Sequence, residues 1–183
     1  MLFRSEEMQR LWDHAGDKKW IDATLIQCYS GWRPQEIGLI ELKNVDLTNW
    51  VFMGGGKTAA GINRMVPIHS KIRDLVVEKC NEAEMLGSKY FFNYVGVSRK
   101  RNDTMFTYKR FQHGFEQIKD ELNLNPDHRP HDGRTHFVTT AKRYGVDEYA
   151  IKYIVGHAVS DLTEKTYTKR NLEWLKEEIE KIK

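Results

Sequence analysis

Apolar residues recur along most of this chain at intervals of three and four, the spacing that turns one stripe of a helix toward a core. Met8, Leu11 and Trp12 form such a face just after Ser5, Glu6 and Glu7, a helix-start signal. A second predicted helix runs from Trp20 to Tyr29 and carries Ile21, Leu25 and Cys28 inward. The segment SGWRP interrupts it, and Pro34 suits the first turn of a short helix written PQEIGLIEL. Ile72, Leu75, Val76, Cys80 and Ala83 predict another helix, and Tyr108, Phe111, Phe115, Ile118 and Leu122 one more. Asp132 to Tyr144 reads as a helix ended by Gly145, and Asp147 caps a further helix that Gly156 stops. Residues 171–183 read as a C-terminal amphipathic helix with Leu172, Leu175, Ile179 and Ile182 on one stripe. A helix of about a dozen residues is marginal alone in water, so that stripe must be buried, on its own domain or on a neighbouring protomer.

Two segments break the helical rhythm. Trp50 to Met53 and Arg64 to Ile68 read as strands of a β-ribbon around GGGKTAAGIN. The expected fold is therefore mainly α with a small antiparallel β-sheet (α+β), in one domain spanning 1–183.

Composition narrows the class. At 183 residues, 40% hydrophobic and 30% charged, the chain suits one folded domain and is too short for two comfortable ones. The net charge of +3 permits DNA binding without demanding it, because 29 basic residues face 26 acidic ones. A nucleic-acid case must then rest on where the positive charges sit. Arg99, Lys100 and Arg101 form a basic run whose ordinary reading is a solvated face, with phosphate contact the lesser one. Cys28 and Cys80, far apart and each in an apolar helical pattern, read as reduced core thiols of a cytoplasmic protein. No apolar run approaches bilayer length, so no membrane partner is expected.

Three segments hold polar residues in odd places. In GWRPQE, Arg33 lies at a break between buried runs, so it needs either an internal carboxylate such as Glu36 or an anionic substrate. The segment alone favours the ion pair. In RPHDGRTHF, His131 and Arg134 are three residues apart at a helix start, one turn and one side, where free N–H groups favour a phosphate. His131 with His136 makes a poor metal pair, because the spacing is wrong and no Cys or carboxylate set accompanies them. In GHAVSDLTEKTYTKR, His157 follows the glycine that ends a helix, and Tyr167 follows on a polar segment. By itself Tyr167 reads as a packing or surface residue.

Taken together, Arg-x-x-Glu, a lysine in a Gly-rich ribbon, His-x-x-Arg, then Gly-His and a later Tyr resemble the tyrosine recombinases of the phage-integrase type. The resemblance runs from SEEMQRLW through SGWRPQEI, GGKTAAGINRMVPIH, PHDGRTHFVTT and VGHAVSDLTEKTYTK. It implies six catalytic positions: Arg33, Lys57, His131, Arg134, His157 and Tyr167, with Glu36 as the acidic residue that follows the first arginine. It further implies site-specific cutting and rejoining of double-stranded DNA, self-association as a tetramer on that DNA, and no cofactor or metal. Two departures stand out. Gly133 occupies a position that is often apolar in the family, where a glycine would soften the first helical turn, and His136 comes one residue later than the family's usual histidine. The resemblance also implies a missing N-terminal core-binding domain, so the chain is expected to be part of a longer protein.

The residue types suit that reaction. Attack of a tyrosine oxygen on a phosphodiester builds charge on the non-bridging oxygens, which two guanidiniums can hold in bidentate fashion. Arg33 and Arg134 are that pair, and His157 adds a hydrogen bond. His131 accepts or relays the proton of Tyr167, and Lys57 protonates the leaving 5′ oxygen. The 3′-phosphotyrosine keeps the bond energy, so religation needs neither ATP nor metal. GGGKT echoes the end of a P-loop, but Val51 stands where that motif's first glycine belongs. Two rival readings are a non-catalytic helix-turn-helix made from the helices at 132–144 and 147–155, and a type IB topoisomerase-like enzyme.

Overall fold

The computed structural model describes residues 1–55, 63–93, 106–158 and 171–183. Lys57, the run from Arg99 to Arg101, and Tyr167 fall outside these residues.

Among the described residues, the chain forms α1 (Ser5–Asp13), α2 (Lys19–Ser30), α3 (Pro34–Ile37), β1 (Val45–Asp46), β2 (Val51–Gly54) and β3 (Arg64–Pro67). It continues with α4 (Arg73–Met85), α5 (Tyr108–Glu121), α6 (Asp132–Arg143) and α7 (Glu148–Val155), and ends with Leu172–Ile179, here called α8. The strands make one antiparallel sheet in the order β1-β2-β3. The fold is thus mainly helical with a small antiparallel sheet, as the periodicity predicts.

α2 is the axis of the domain. Every residue from Ile21 to Ser30 is buried, more than the single stripe expected of it, because α6, α5, α4 and α1 pack around it. Most of its polar groups are therefore paired internally, Gln27 Oε1 being left without a partner. Thr24 Oγ1 donates to the Trp20 carbonyl at 2.8 Å, Ser30 Oγ to Ile26 at 2.6 Å, and Gln27 Nε2 to Trp32 at 3.1 Å. Buried Asp22 pairs with Lys79 Nζ of α4 at 2.8 Å.

Gly133 of α6 fits this axis. A Cβ there would lie 2.7 Å from Gln27 Cβ and 3.3 Å from the Thr24 carbonyl. The glycine lets α6 lie against α2, with Gln27 filling the space an apolar side chain would take. Close approach of the two helices, more than local softness, accounts for it.

Three elements differ from expectation. PQEIGLIEL is helical only over Pro34–Ile37. At Gly38 the chain runs against Phe106, whose carbonyl would sit 1.8 Å from an added Cβ, and the Ile40 carbonyl is taken by the Phe91 N–H at 2.9 Å. Strand β1 was not expected; two residues are too few to show alternation. The tail helix is shorter than 171–183, with Asn171 as its cap, accepting from the Trp174 N–H at 2.8 Å.

That tail packs on its own domain. Leu175, Ile179 and Ile182 are buried, against β3 and α7. Glu178 accepts from the Asp147 N–H at 2.7 Å, and His69 Nε2 lies 2.9 Å from the Ile182 carbonyl. Of the two hosts left open for the stripe, the structure uses the chain's own core.

Cys28 and Cys80 are free and buried, and burial pushes both thiols up, Cys80 to about 11. Among the described residues no helix is long and apolar enough to cross a membrane.

Candidate active site

Three chain breaks converge where α2, α6 and α7 meet. α2 ends at Gly31, whose φ of 67° is left-handed and whose missing Cβ leaves room for Phe137, 2.6 Å from where it would stand. This turn aims the Gly31 carbonyl at α6 and puts Arg33 at the cap of α3. α7 ends at left-handed Gly156, where the Gly156 and His157 N–H groups close back on the Tyr153 and Lys152 carbonyls. Those of Ile154 and Val155 are left to accept from side chains, next to His157.

Arg134, one turn into α6, fills the gap between these breaks. It is only 4% exposed. Its guanidinium donates to the Gly31 carbonyl at 2.7 Å and the Val155 carbonyl at 2.7 Å, and Nη2 lies 3.1 Å from His157 Nε2. A guanidinium can only donate, so His157 Nε2 is the acceptor and the ring is neutral with its proton on Nδ1. Burial, and then the charges of Arg134 and Arg33, lower the His157 pKa in keeping with that form.

Arg33 is held by Glu36. Its Nη1 lies 2.9 Å from Glu36 Oε1, and its backbone N–H donates to Oε2 at 3.1 Å. Of the two partners the sequence offered Arg33, the internal carboxylate is thus present, yet it does not cancel the local charge. Arg64 of β3 grips the same carboxylate, Nη2 to Oε2 at 2.8 Å and Nη1 to Oε1 at 3.3 Å. Burial alone would raise the Glu36 pKa, but the hydrogen bonds and charges of Arg64 and Arg33 hold it below the ordinary carboxylate range. Among the described residues, one carboxylate therefore faces three guanidiniums. The excess shows in Arg134, whose pKa is pushed down to about 10, first by burial and then by Arg33.

His131 caps α6 on the exposed side, and its carbonyl accepts from the Arg134 N–H at 3.1 Å. Burial, Arg134 and Arg33 lower its pKa, so it borders the same positive cluster as a neutral base. His136 faces away, its ring tilted at 50° to that of Phe3 with centroids 5.9 Å apart. The described part of the candidate set, Arg33, His131, Arg134 and His157, thus comes together, while Lys57 and Tyr167 lie outside the described residues. Arg64 was missed. Its signal was the alternation of β3: Arg64 shares a phase with buried Val66 and Ile68, and an inward arginine requires a carboxylate. The inward aim of Arg134 also argues against α6 as an outward recognition helix.

Four histidines, of which His69 is buried, set an acid limit on stability. His69, His131, His136 and His157 all have lowered pKa values, chiefly through burial, His136 to about 4. A lowered histidine pKa means that the unfolded chain takes up protons before the folded one does. Stability is then full above the ordinary histidine value near 6.5 and falls as pH drops toward 4. The thermal midpoint should fall steadily from pH 7 to pH 4.5, and His136→Asn should flatten part of that slope. A midpoint constant across this range would contradict the burial argument.

Comparisons with known proteins follow the same lines. The model of the phage integrase family matches residues 2–173. Among solved structures, the integrase from mycobacterium phage Brujita superposes with a TM-score of 0.71 at 18% identity, over 97% of this chain and 56% of that one. The Tn1549 transposon integrase, solved in complex with circular intermediate DNA, gives 0.67 at 21%, over 98% of this chain and 64% of that one. The lambda integrase catalytic core gives 0.64 at 11%, over 88% of this chain and 94% of that one. The chain therefore spans little more than half to two thirds of the longer relatives. Comparison with curated protein sequences gives no match.

Proposed function

The chain belongs to the phage integrase family, and from that premise we propose that it is the catalytic domain of a tyrosine site-specific DNA recombinase. Its substrate is double-stranded DNA, which it cuts and rejoins through a covalent 3′-phosphotyrosine during integration or excision of a mobile element. The similar transposon integrase solved with DNA supports the choice of partner. The observation that carries the reading is the crowding of Arg33, Arg64 and Arg134 around the carboxylate of Glu36 among the described residues. Such a site stores positive charge at a cost that a bound phosphodiester relieves.

In this reading the scissile phosphate lies against Arg33 and Arg134, which bind its non-bridging oxygens. His157 adds a hydrogen bond once it turns from Arg134 toward the phosphate. Neutral His131 accepts the phenolic proton as Tyr167 attacks phosphorus, and the phosphorus–O5′ bond breaks. Lys57 delivers a proton to that leaving oxygen. Religation reverses these steps with a 5′ hydroxyl as nucleophile. A tetramer on DNA, as the family resemblance implies, would bring two such exchanges together.

The experiment that tests this division of labour compares two substrates. Lys57→Ala should cleave ordinary DNA at least about 100-fold slower than the unaltered chain, the usual scale for losing a general acid. With sulfur at the bridging 5′ position the leaving group needs no proton, and the variant should cleave nearly as fast as the parent. Equal slowing on both substrates would remove Lys57 from the acid role. Failure of the parent chain to cleave either one would remove the recombinase reading itself.

A further inference from the structure

We propose that Arg64 is a positioning residue of this site, setting Arg33 and His157 in register with one another by gripping Glu36 and the end of α7 at once. The proposal rests on the recombinase reading for its consequence in catalysis, but its geometry stands independently. Arg64 is 2% exposed, and its guanidinium reaches two of the breaks that build the site. Toward the first, Nη1 and Nη2 fork onto the two oxygens of Glu36, the carboxylate that also holds the side chain and backbone N–H of Arg33. Toward the second, Nε donates to the Ile154 carbonyl at 2.8 Å. The next carbonyl, Val155, takes Arg134, and His157 follows two residues later.

Consecutive carbonyls at one helix end thus anchor two arginines, and His157 inherits its place from both. The plane of the fork is fixed from below by Trp32, whose ring centroid lies 4.0 Å from Arg64 Cζ. β3 carries this residue, so the register of the sheet and that of the phosphate cluster are tied through one side chain.

Only an arginine does this. A lysine ammonium is a point charge that can meet Glu36 or the Ile154 carbonyl, but it has no planar fork to hold both while lying flat on Trp32. If Arg64 merely filled space, lysine would serve as well as any long side chain. With its fork gone, Glu36 keeps Arg33 as its described partner and draws that guanidinium away from the phosphate, and the last turn of α7 loses the donor on its Ile154 carbonyl.

The test uses Arg64→Lys in the full chain, with three readouts. Cleavage of a nicked suicide substrate should slow about 10- to 100-fold, in kcat and not in DNA affinity, the usual range for losing an outer partner that orients a reacting group. The defect should shrink on a methylphosphonate, whose missing charge relaxes the demand on Arg33. The ring-nitrogen resonances of His157 should shift, reporting its loosened contact with Arg134 whether or not the chain cleaves DNA. A double-mutant cycle with Glu36→Gln guards against simple unfolding: Arg64→Met should cost much less when Glu36 is already neutral.

Wild-type cleavage by Arg64→Lys, equal slowing on both substrates, additive effects in the cycle or unmoved His157 resonances would each overturn the proposal. A parent chain that forms no adduct, with His157 shifted in Arg64→Lys, would sink the recombinase reading and leave the positioning role standing.

Discussion

Arg134→Ala should reduce DNA cleavage by about 10³-fold or more, the scale on which transition-state arginines act on phosphoryl groups, while the melting temperature changes little. Two effects on stability oppose each other. The variant forfeits charge-assisted hydrogen bonds to the Gly31 and Val155 carbonyls, each worth about 1.5–3 kcal/mol. It also removes a charge that the fold holds at a cost. Depression of the Arg134 pKa to about 10, first by burial and then by Arg33, corresponds to a penalty on the order of 3 kcal/mol at neutral pH. The terms are of similar size, so the net change in folding should stay within about 3 kcal/mol. DNA binding should weaken far less than cleavage. A variant that cleaves within tenfold of the parent would remove Arg134 from phosphate stabilisation. One that fails to fold would show that the two carbonyl bonds outweigh the relieved repulsion.

Deletion from Leu172 onward should unfold the domain. Leu175, Ile179 and Ile182 are each no more than 3% exposed, and burying such side chains contributes about 1.5–3 kcal/mol apiece before any cavity term. The deletion also strips Glu178 from the Asp147 N–H and leaves buried His69 without the Ile182 carbonyl. Together these losses reach roughly 5–10 kcal/mol, the whole stability of an ordinary domain. The truncated chain should aggregate or elute as an unfolded species, and Ile179→Ala should melt earlier by an amount matching about 2–4 kcal/mol. A truncated chain that melted like the parent would mean that the stripe is dispensable here and open to a neighbouring protomer.

The sequence carried the helices well because their apolar spacing is a direct consequence of burial on one side. It carried less where burial is on every side: α2 showed three inward residues and has ten buried. It overran at PQEIGLIEL, since the obstacle at Gly38 is a carbonyl from a distant segment, invisible in local pattern. Gly133 looked like a weakness in a helix and is a contact with Gln27.

In the site, Arg33 and His157 were legible because each stands beside a chain break that a buried polar residue must justify, and Arg134 because it shares a first turn with His131. Their mutual arrangement was not legible, because it depends on carbonyls of Gly31, Ile154 and Val155 that carry no side-chain signature. Arg64 hid for a different reason. Strand arginines are usually solvated, and only the in-facing phase of β3 distinguishes this one.

The measurement that bears most directly on the account is covalent capture. The chain is incubated with a nicked suicide substrate bearing its recombination site, the adduct is isolated under denaturing conditions, and the modified peptide is mapped. The expected result is a single adduct on Tyr167 through a 3′ phosphate, abolished by Tyr167→Phe with folding and DNA affinity nearly unchanged. An adduct that persists in that variant, or one that maps to Tyr144, Tyr149 or Tyr153, would contradict the account.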